Sequence, residues 1–429
     1  MPKLRFIEFK DDEKWEITAF GKLSIPVEER AGEASYTLMS VTSGVGLIPQ
    51  TEKFGREIAG NSYKNYYVIQ NGDFAYNKSA TKLYPEGYIA MLQGYDNAAL
   101  PNSIFTCFRI VDKESYPQFF NHLFSSNYHG KWLRKYITVG ARANGALSVD
   151  NKYLWKMPVA VPKLSEQQKI ADCFSSLDDL ISAENEKLLA LKDHKKGLMQ
   201  NLFPAEGKSI PEWRFSEFRI CGSWEEKKLE EAVETITDYV AAGSFADLKS
   251  KVNYKASPDF AQLVRTVDIK NNFKNKDFVY VNREAFKFLW RVDLNIDAII
   301  MPNIGANIGE VYYLKSRLLP YENNVLGPNA LLLRCNKNNN TFISNLLLSD
   351  MFQRLLKLIV AASGQPKFNK TELKQITICI PTLPEQQKIA DCLTALDDLI
   401  TAQSQKIEVL KQHKKALIQG LFPSAQEVF

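Results

Sequence analysis

The chain has 429 residues, of which 45% are hydrophobic and 24% charged, and its formal net charge is +5. That length accommodates two ordinary domains, each with a sizeable core, and the mild positive charge permits nucleic-acid binding without requiring it. No apolar run is long enough to span a bilayer, and the charged N-terminus lacks the apolar stretch of a secretory signal.

The first segment, Pro2-Lys3-Leu4-Arg5-Phe6-Ile7-Glu8-Phe9, is followed by Trp15-Glu16. Short runs rich in aromatic and β-branched residues come next, at Tyr66-Tyr67-Val68-Ile69 and Phe105-Thr106-Cys107-Phe108-Arg109-Ile110. Asn71-Gly72-Asp73 signals a tight turn before Phe74-Ala75-Tyr76, so the segment predicts strands separated by turns. Lys53, Arg56, Lys64, Lys78 and Lys82, with Asn77 among them, supply cations and an amide on loops. A helical stretch is predicted over about 115–137. His122 and His129 lie in or near it among aromatics, where ordinary core or surface histidines are expected. Gly145 and a short strand, Val159-Ala160-Val161, then lead to Pro162.

From Pro162 to Pro204 the pattern changes to a single helix of roughly 37 residues, about 55 Å long. Apolar residues step by fours and threes through Ile170, Phe174, Leu177, Ile181, Leu188, Leu191, Leu198 and Leu202, with Glu184 and Lys195 in two seam positions. This is the pattern of coiled-coil packing. Glu166 and Gln167 in the first turn suit the positive helix start.

The second half repeats the first. The ends match and the middles do not. Pro211-Glu212-Trp213-Arg214-Phe215 repeats the N-terminal segment at an offset of 209, with Trp224-Glu225 in place of Trp15-Glu16. Pro381 to Pro423 repeats Pro162 to Pro204 at an offset of 219, with 27 of 43 positions identical. The second stripe is Ile389, Leu393, Leu396, Ile400, Ile407, Leu410, Leu417 and Leu421, and Gln403 and Lys414 fill the same two exceptions. Between these ends lie a strand at Phe278-Val279-Tyr280-Val281 and the pair Asn295-Ile296-Asp297 and Ala298-Ile299-Ile300-Met301, which parallels the turn and strand of the first half. A glycine-bearing loop from Asn303 to Gly309, a helical stretch over about 341–360, Gly364 and a strand ending at Pro381 follow. From Lys249 to Arg291 ten Lys/Arg face four Asp/Glu, a local basic excess suited to positioning phosphates.

Chemical motifs are sparse. Six scattered cysteines form no Cys-x-x-Cys pair, which suggests neither zinc nor a disulfide framework and favours a reduced, cytoplasmic setting; Cys173 and Cys392, equivalent in the repeat, are expected to be small core residues. Gly207-Lys208-Ser209 completes no phosphate loop, because Leu202 stands where its first glycine belongs. Pro258-Asp259 with Asp268-Ile269-Lys270 loosely matches a magnesium-nuclease pattern, without a counterpart in the first half.

Modules that differ, separated by repeated Leu-x-Glu-Gln-Gln-Lys-Ile-Ala helices that end at Leu-Phe-Pro, resemble the specificity subunit of type I restriction–modification systems over nearly the whole chain. The resemblance implies an α+β fold: two β-rich target-recognition domains joined by two long helices that form an antiparallel intramolecular coiled coil with pseudo-two-fold symmetry. It sets the parts at 1–162 and 205–381 for the recognition domains and at 163–204 and 382–429 for the helices. It also implies a non-catalytic subunit of an adenine methyltransferase and endonuclease complex, reading a bipartite, asymmetric double-stranded DNA target. Two methyltransferase subunits and motor-nuclease subunits would be its partners, with S-adenosylmethionine, ATP and Mg on those partners and none in this chain. Half-sites about one DNA turn apart, roughly 34 Å, are within reach of such helices. Charge and loop placement nominate Lys53, Arg56, Lys64, Asn77, Lys78, Lys82, Lys249, Lys255, Arg265, Lys274, Asn303 and Asn307 as DNA contacts. The helix stripe nominates Ile170, Phe174, Leu177, Ile181, Leu188, Leu191, Ile389, Leu393, Leu396, Ile400, Ile407 and Leu410 for the coiled coil and subunit docking. The alternatives are a protein-binding coiled-coil scaffold and the recognition subunit of a related system that cleaves on both sides of its site.

Overall fold

A computed structural model describes residues 1–59, 62–139, 147–361, 366–424 and 428–429. Gly145 and Gly364 lie outside the described residues. The chain divides into two compact units, Met1–Glu186 with Gln405–Phe429, and Lys187–Ser404. The division passes through the middle of both long helices, Leu164–Leu202 and Leu383–Leu421, each of 39 residues.

In the first unit, strand Glu16–Ala19 pairs antiparallel with Pro158–Val161, the strand that leads into the long helix. The first module therefore starts and ends at one place. Its central sheet is four-stranded: Ser24–Pro26, Phe105–Ile110, Phe74–Asn77 and Tyr88–Met91, in that spatial order. Phe74 and Phe108 stack across neighbouring strands at 5.2 Å. Phe20 and Phe124 close around them edge to face, the favoured geometry for aromatic pairs. The predicted helical stretch breaks into Pro117–Ser125 and Tyr128–Leu133. Asn127 between them adopts a left-handed conformation, φ 59°, which asparagine tolerates better than most residues.

The second unit repeats this plan with different residues. Glu225–Lys228 pairs with Thr377–Ile380. The four-stranded sheet runs Thr235–Asp238, Ala330–Arg334, Ala298–Pro302 and Tyr312–Leu314. A further three-stranded sheet, with Ala261–Val264 between Val279–Val281 and Asn324–Leu326, has one parallel pairing. Leucine, isoleucine and valine fill most of the second unit's core, with Phe203, Trp224 and Phe342 packed against one another.

Within each unit the two helix segments run antiparallel. In the first, Phe174 stacks on Phe422 at 5.8 Å, Lys414 pairs with Asp178, and Lys406 pairs with Glu184 at 2.5 Å. As numbers rise on one helix they fall on the other. In the second unit Lys195 donates to both oxygens of Asp397, at 2.6 and 2.8 Å. Lys195–Asp397 and Lys414–Asp178 are the same contact with the two helices exchanged. Glu184, Lys195 and Lys414, three of the polar residues in the hydrophobic stripe, are thus held in cross-helix ion pairs, which a slip in register would break. Ile170, Phe174, Ile389, Leu393, Leu396 and Ile407 are buried. Leu177, Ile181, Leu188, Leu191, Ile400 and Leu410 are half-buried. Cys173 and Cys392 are half-buried on the helix flank rather than in the core.

Candidate nucleic-acid interface

The Glu-Gln-Gln motif is the clasp that seats each module on its helix. Arg5 Nε and Nη2 donate to the two oxygens of Glu166 at 2.8 and 2.7 Å, and Arg5 Nη1 donates to the Asp12 carbonyl. Gln167 Oε1 accepts from the Tyr116 amide, and Gln167 Nε2 donates to the carbonyls of Pro162 and Glu114. The second unit repeats the set: Arg214 binds Glu385 at 2.7 Å through both nitrogens, while Gln386 joins Asn339 and Pro381. Glu166 and Glu385 are each 1% exposed. A buried carboxylate needs a charged, hydrogen-bonded partner, and the N-terminal arginine of each repeat supplies it. The sequence shows these residues as identities; their pairing over 161 and 171 positions becomes visible only in the fold.

Three candidate DNA contacts of the first unit come together. Lys53, Asn77 and Lys82 line a cavity of about 670 Å³, together with Ser40, Thr42 and Tyr84. Lys53 Nζ donates to Ser40 Oγ and the Val41 carbonyl, both at 3.1 Å, and burial lowers its pKa. Asn77 Oδ1 accepts from the Ser79 amide. Hydroxyls, amides and ammonium groups around one concavity are the donors and acceptors that phosphates and base edges use. Ser40 and Thr42 belong to the hairpin Met39–Thr42 and Gly46–Pro49, which the sequence reading missed. Ser43-Gly44 was its available turn signal.

The other first-unit candidates lie elsewhere or are engaged. Lys78 Nζ donates to Asn151 Oδ1 at 2.6 Å, with its pKa lowered by burial. Lys64 pairs with Glu33. Arg56 is exposed just beyond the helix Gln50–Phe54.

The second unit's candidates are each exposed or engaged by other residues. Lys249 and Lys274 are exposed. Lys255 pairs with Asp259 at 2.5 Å. Arg265 grips the buried Asp268 through two nitrogens, which stabilises the start of the helix Thr266–Lys270. Asn303 Nδ2 donates to the Phe368 carbonyl, and Asn307 Oδ1 accepts from Lys270 Nζ, which also pairs with Glu310. The carboxylates and lysine of the nuclease-like pattern are therefore each tied to another residue. No cluster of His, Cys, Asp or Glu able to hold a metal occurs among the described residues.

His122 and His129 are core residues, 3% and 0% exposed. Burial lowers both pKa values to about 4, reinforced at His122 by Lys414 and opposed there by Asp178. No helix among the described residues is long and apolar enough to cross a membrane.

The family model described as type I restriction modification DNA specificity domain matches residues 51–193 and again 222–412. Two relatives from Methanocaldococcus jannaschii are similar in sequence. The type I restriction enzyme MjaVIII specificity subunit is 26% identical over 305 residues, covering 68% of this chain and 67% of that protein. The putative type I restriction enzyme MjaX specificity subunit is 25% identical over 298 residues, covering 68% and 64%. In fold, the chain resembles the type I restriction-modification system S subunit from M. genitalium, with TM-score 0.56, 13% identity and 99% of each chain covered. It also resembles a chain from a structure of complex assembly and conformational transition in a type I R-M system, with TM-score 0.57, 16% identity, and 96% and 98% covered.

Proposed function

Because this chain belongs to the type I restriction modification DNA specificity family, as a specificity subunit, we propose that it reads a bipartite, asymmetric DNA sequence for a methyltransferase and endonuclease complex and is itself non-catalytic. One observation carries the reading: two modules of unlike sequence are seated on the same Arg–Glu–Gln clasp, in Arg5–Glu166–Gln167 and Arg214–Glu385–Gln386. A shared frame with exchangeable inserts suits two readers of two different half-sites. The Lys53, Asn77 and Lys82 cavity is the reading surface of the first module.

The long helices dock two methyltransferase subunits, and motor-nuclease subunits join that complex in the cytoplasm. Leu180 and Leu399 support this docking. They are equivalent in the repeat and stand 43% and 56% exposed on their helices, each preceded by two aspartates. Equivalent surfaces suit two copies of one partner, and exposed leucine is a natural anchor for it. S-adenosylmethionine, ATP and Mg belong to those partners.

Co-expression with an adenine methyltransferase of the same family tests the proposal. The complex should contain two methyltransferase subunits per chain and bind its target duplex with a steep salt dependence. A chain that captures no methyltransferase, or a complex indifferent to salt and DNA sequence, would contradict it.

A further inference from the structure

The basic segments late in each long helix take no part in the clasp or the reading cavity, and their lysines divide into two sets. Lys414 and Lys195 point into the helix pair and are consumed by Asp178 and Asp397. Lys411 and Lys415 lie one turn apart on the same exposed helix face, as do Lys192 and Lys196.

In the first unit Lys411 and Lys415 line a groove of about 950 Å³, together with Lys3 and Lys131. Asp178 is its only carboxylate among the described lining residues, and it is already paired with Lys414. Glu408 reaches Lys411 only at 3.5 Å, between two exposed side chains, a contact of little energetic weight. Tyr84 lines both this groove and the reading cavity. Gly44 lines the groove next to Ser43, which lines the cavity. The two concavities thus form one continuous basic surface. In the second unit, Lys192 and Lys196 line a smaller groove of about 400 Å³, but Asp350 and Asp397 line it with them, so the acid-poor character belongs to the first unit.

The geometry points to a sequence-independent phosphate track: Lys411 and Lys415 hold the sugar–phosphate backbone of the DNA that leaves the reading cavity of the first unit. This rests on the proposed DNA-reading function and adds a second kind of contact to it. The occupant is polyanionic, because Lys3, Lys131, Lys411 and Lys415 share the groove with one carboxylate among the described lining residues, Asp178, which is already paired with Lys414. It is duplex backbone rather than a free anion, because the groove continues into the cavity that faces bases. Five lysines line the groove, against Lys53 and Lys82 in the cavity, and ammonium groups in that number suit the positioning of backbone phosphates.

The test uses the full chain in complex with its methyltransferase. Affinity for a fluorescent duplex with the methylated motif, and for a scrambled duplex, is measured across a series of salt concentrations. In the variant carrying Lys411→Gln and Lys415→Gln, the slope of log K against log salt should fall by about two. Both duplexes should weaken by the same factor, and the motif methylated in cells should not change. A melting temperature equal to that of the parent excludes misfolding, and a Lys415→Glu variant should weaken binding further. Unchanged slope and affinity would overturn the phosphate track. So would a changed motif, which assigns these lysines to base reading, and so would loss of the methyltransferase from the complex, which assigns them to protein docking. A parent complex that binds no duplex at all would overturn the specificity reading itself, a different result from each of these.

Discussion

Arg5 and Glu166 form a two-pronged ion pair between the N-terminal segment and the first turn of the central long helix, with the carboxylate 1% exposed and the guanidinium side chain 10% exposed. Arg5→Ala leaves that carboxylate buried without its charge partner. The expected loss is about 3–5 kcal/mol, measured by urea unfolding of the full chain. Arg214→Ala should do the same in the second unit. A loss below about 1 kcal/mol for either would show that the clasp is not what seats the module.

Arg265 makes a contrasting case. Charge nominates it as a DNA contact, yet its guanidinium binds Asp268, which is fully buried. Arg265→Ala should destabilise the chain by about 3–5 kcal/mol and leave the salt slope of DNA binding unchanged. Asn77→Ala, in the reading cavity, should do the reverse. It should cost about 1–3 kcal/mol in discrimination at one base pair, seen as relaxed methylation at that position, with little change in melting temperature.

The buried histidines set a pH dependence. Burial depresses the pKa of His122 and His129 to about 4, below the value of about 6.5 in an unfolded chain. Between those values the unfolded state binds protons that the folded state refuses. Stability therefore falls as pH drops from about 6.5 to 4, by about 1.4 kcal/mol per pH unit for each histidine. Unfolding free energies of the parent and of His122→Gln, measured at pH 7 and pH 5, check this: the variant should show the shallower decline.

Across the helices, the Lys195–Asp397 pair is partly exposed, with side chains 20% and 49% accessible. A double-mutant cycle with alanine should give a coupling of about 0.2–1 kcal/mol. Its value lies more in register than in energy. Lys414→Asp should therefore be rescued by Asp178→Lys, read as recovery of the melting temperature.

The frame was legible in the sequence because it is local or repeated. The four-three stripe gave both long helices, and the turn Asn71-Gly72-Asp73 gave the strand that the structure places at Phe74–Asn77. The strand over residues 105–110 was read at its observed bounds. Glu184 and Lys195 read in the sequence as polar residues in seam positions; the facing helix supplies their partners, Lys406 and Asp397. The contacts were much harder to read. Charge marks a lysine equally whether it faces open solvent, as Lys274 does, or is spent on an asparagine, as Lys78 is. Ser40 and Thr42 carry no pattern at all. Only the fold brings them beside Asn77, whose strand lies more than thirty residues away in sequence.

The direct measurement is the methylated sequence of DNA from cells that carry the methyltransferase and this chain, compared with a chain in which residues 1–162 come from another family member. Two half-sites read by two modules require that one half of the motif change while the other half and the spacing stay fixed. A motif that changes in both halves, or in neither, contradicts the account.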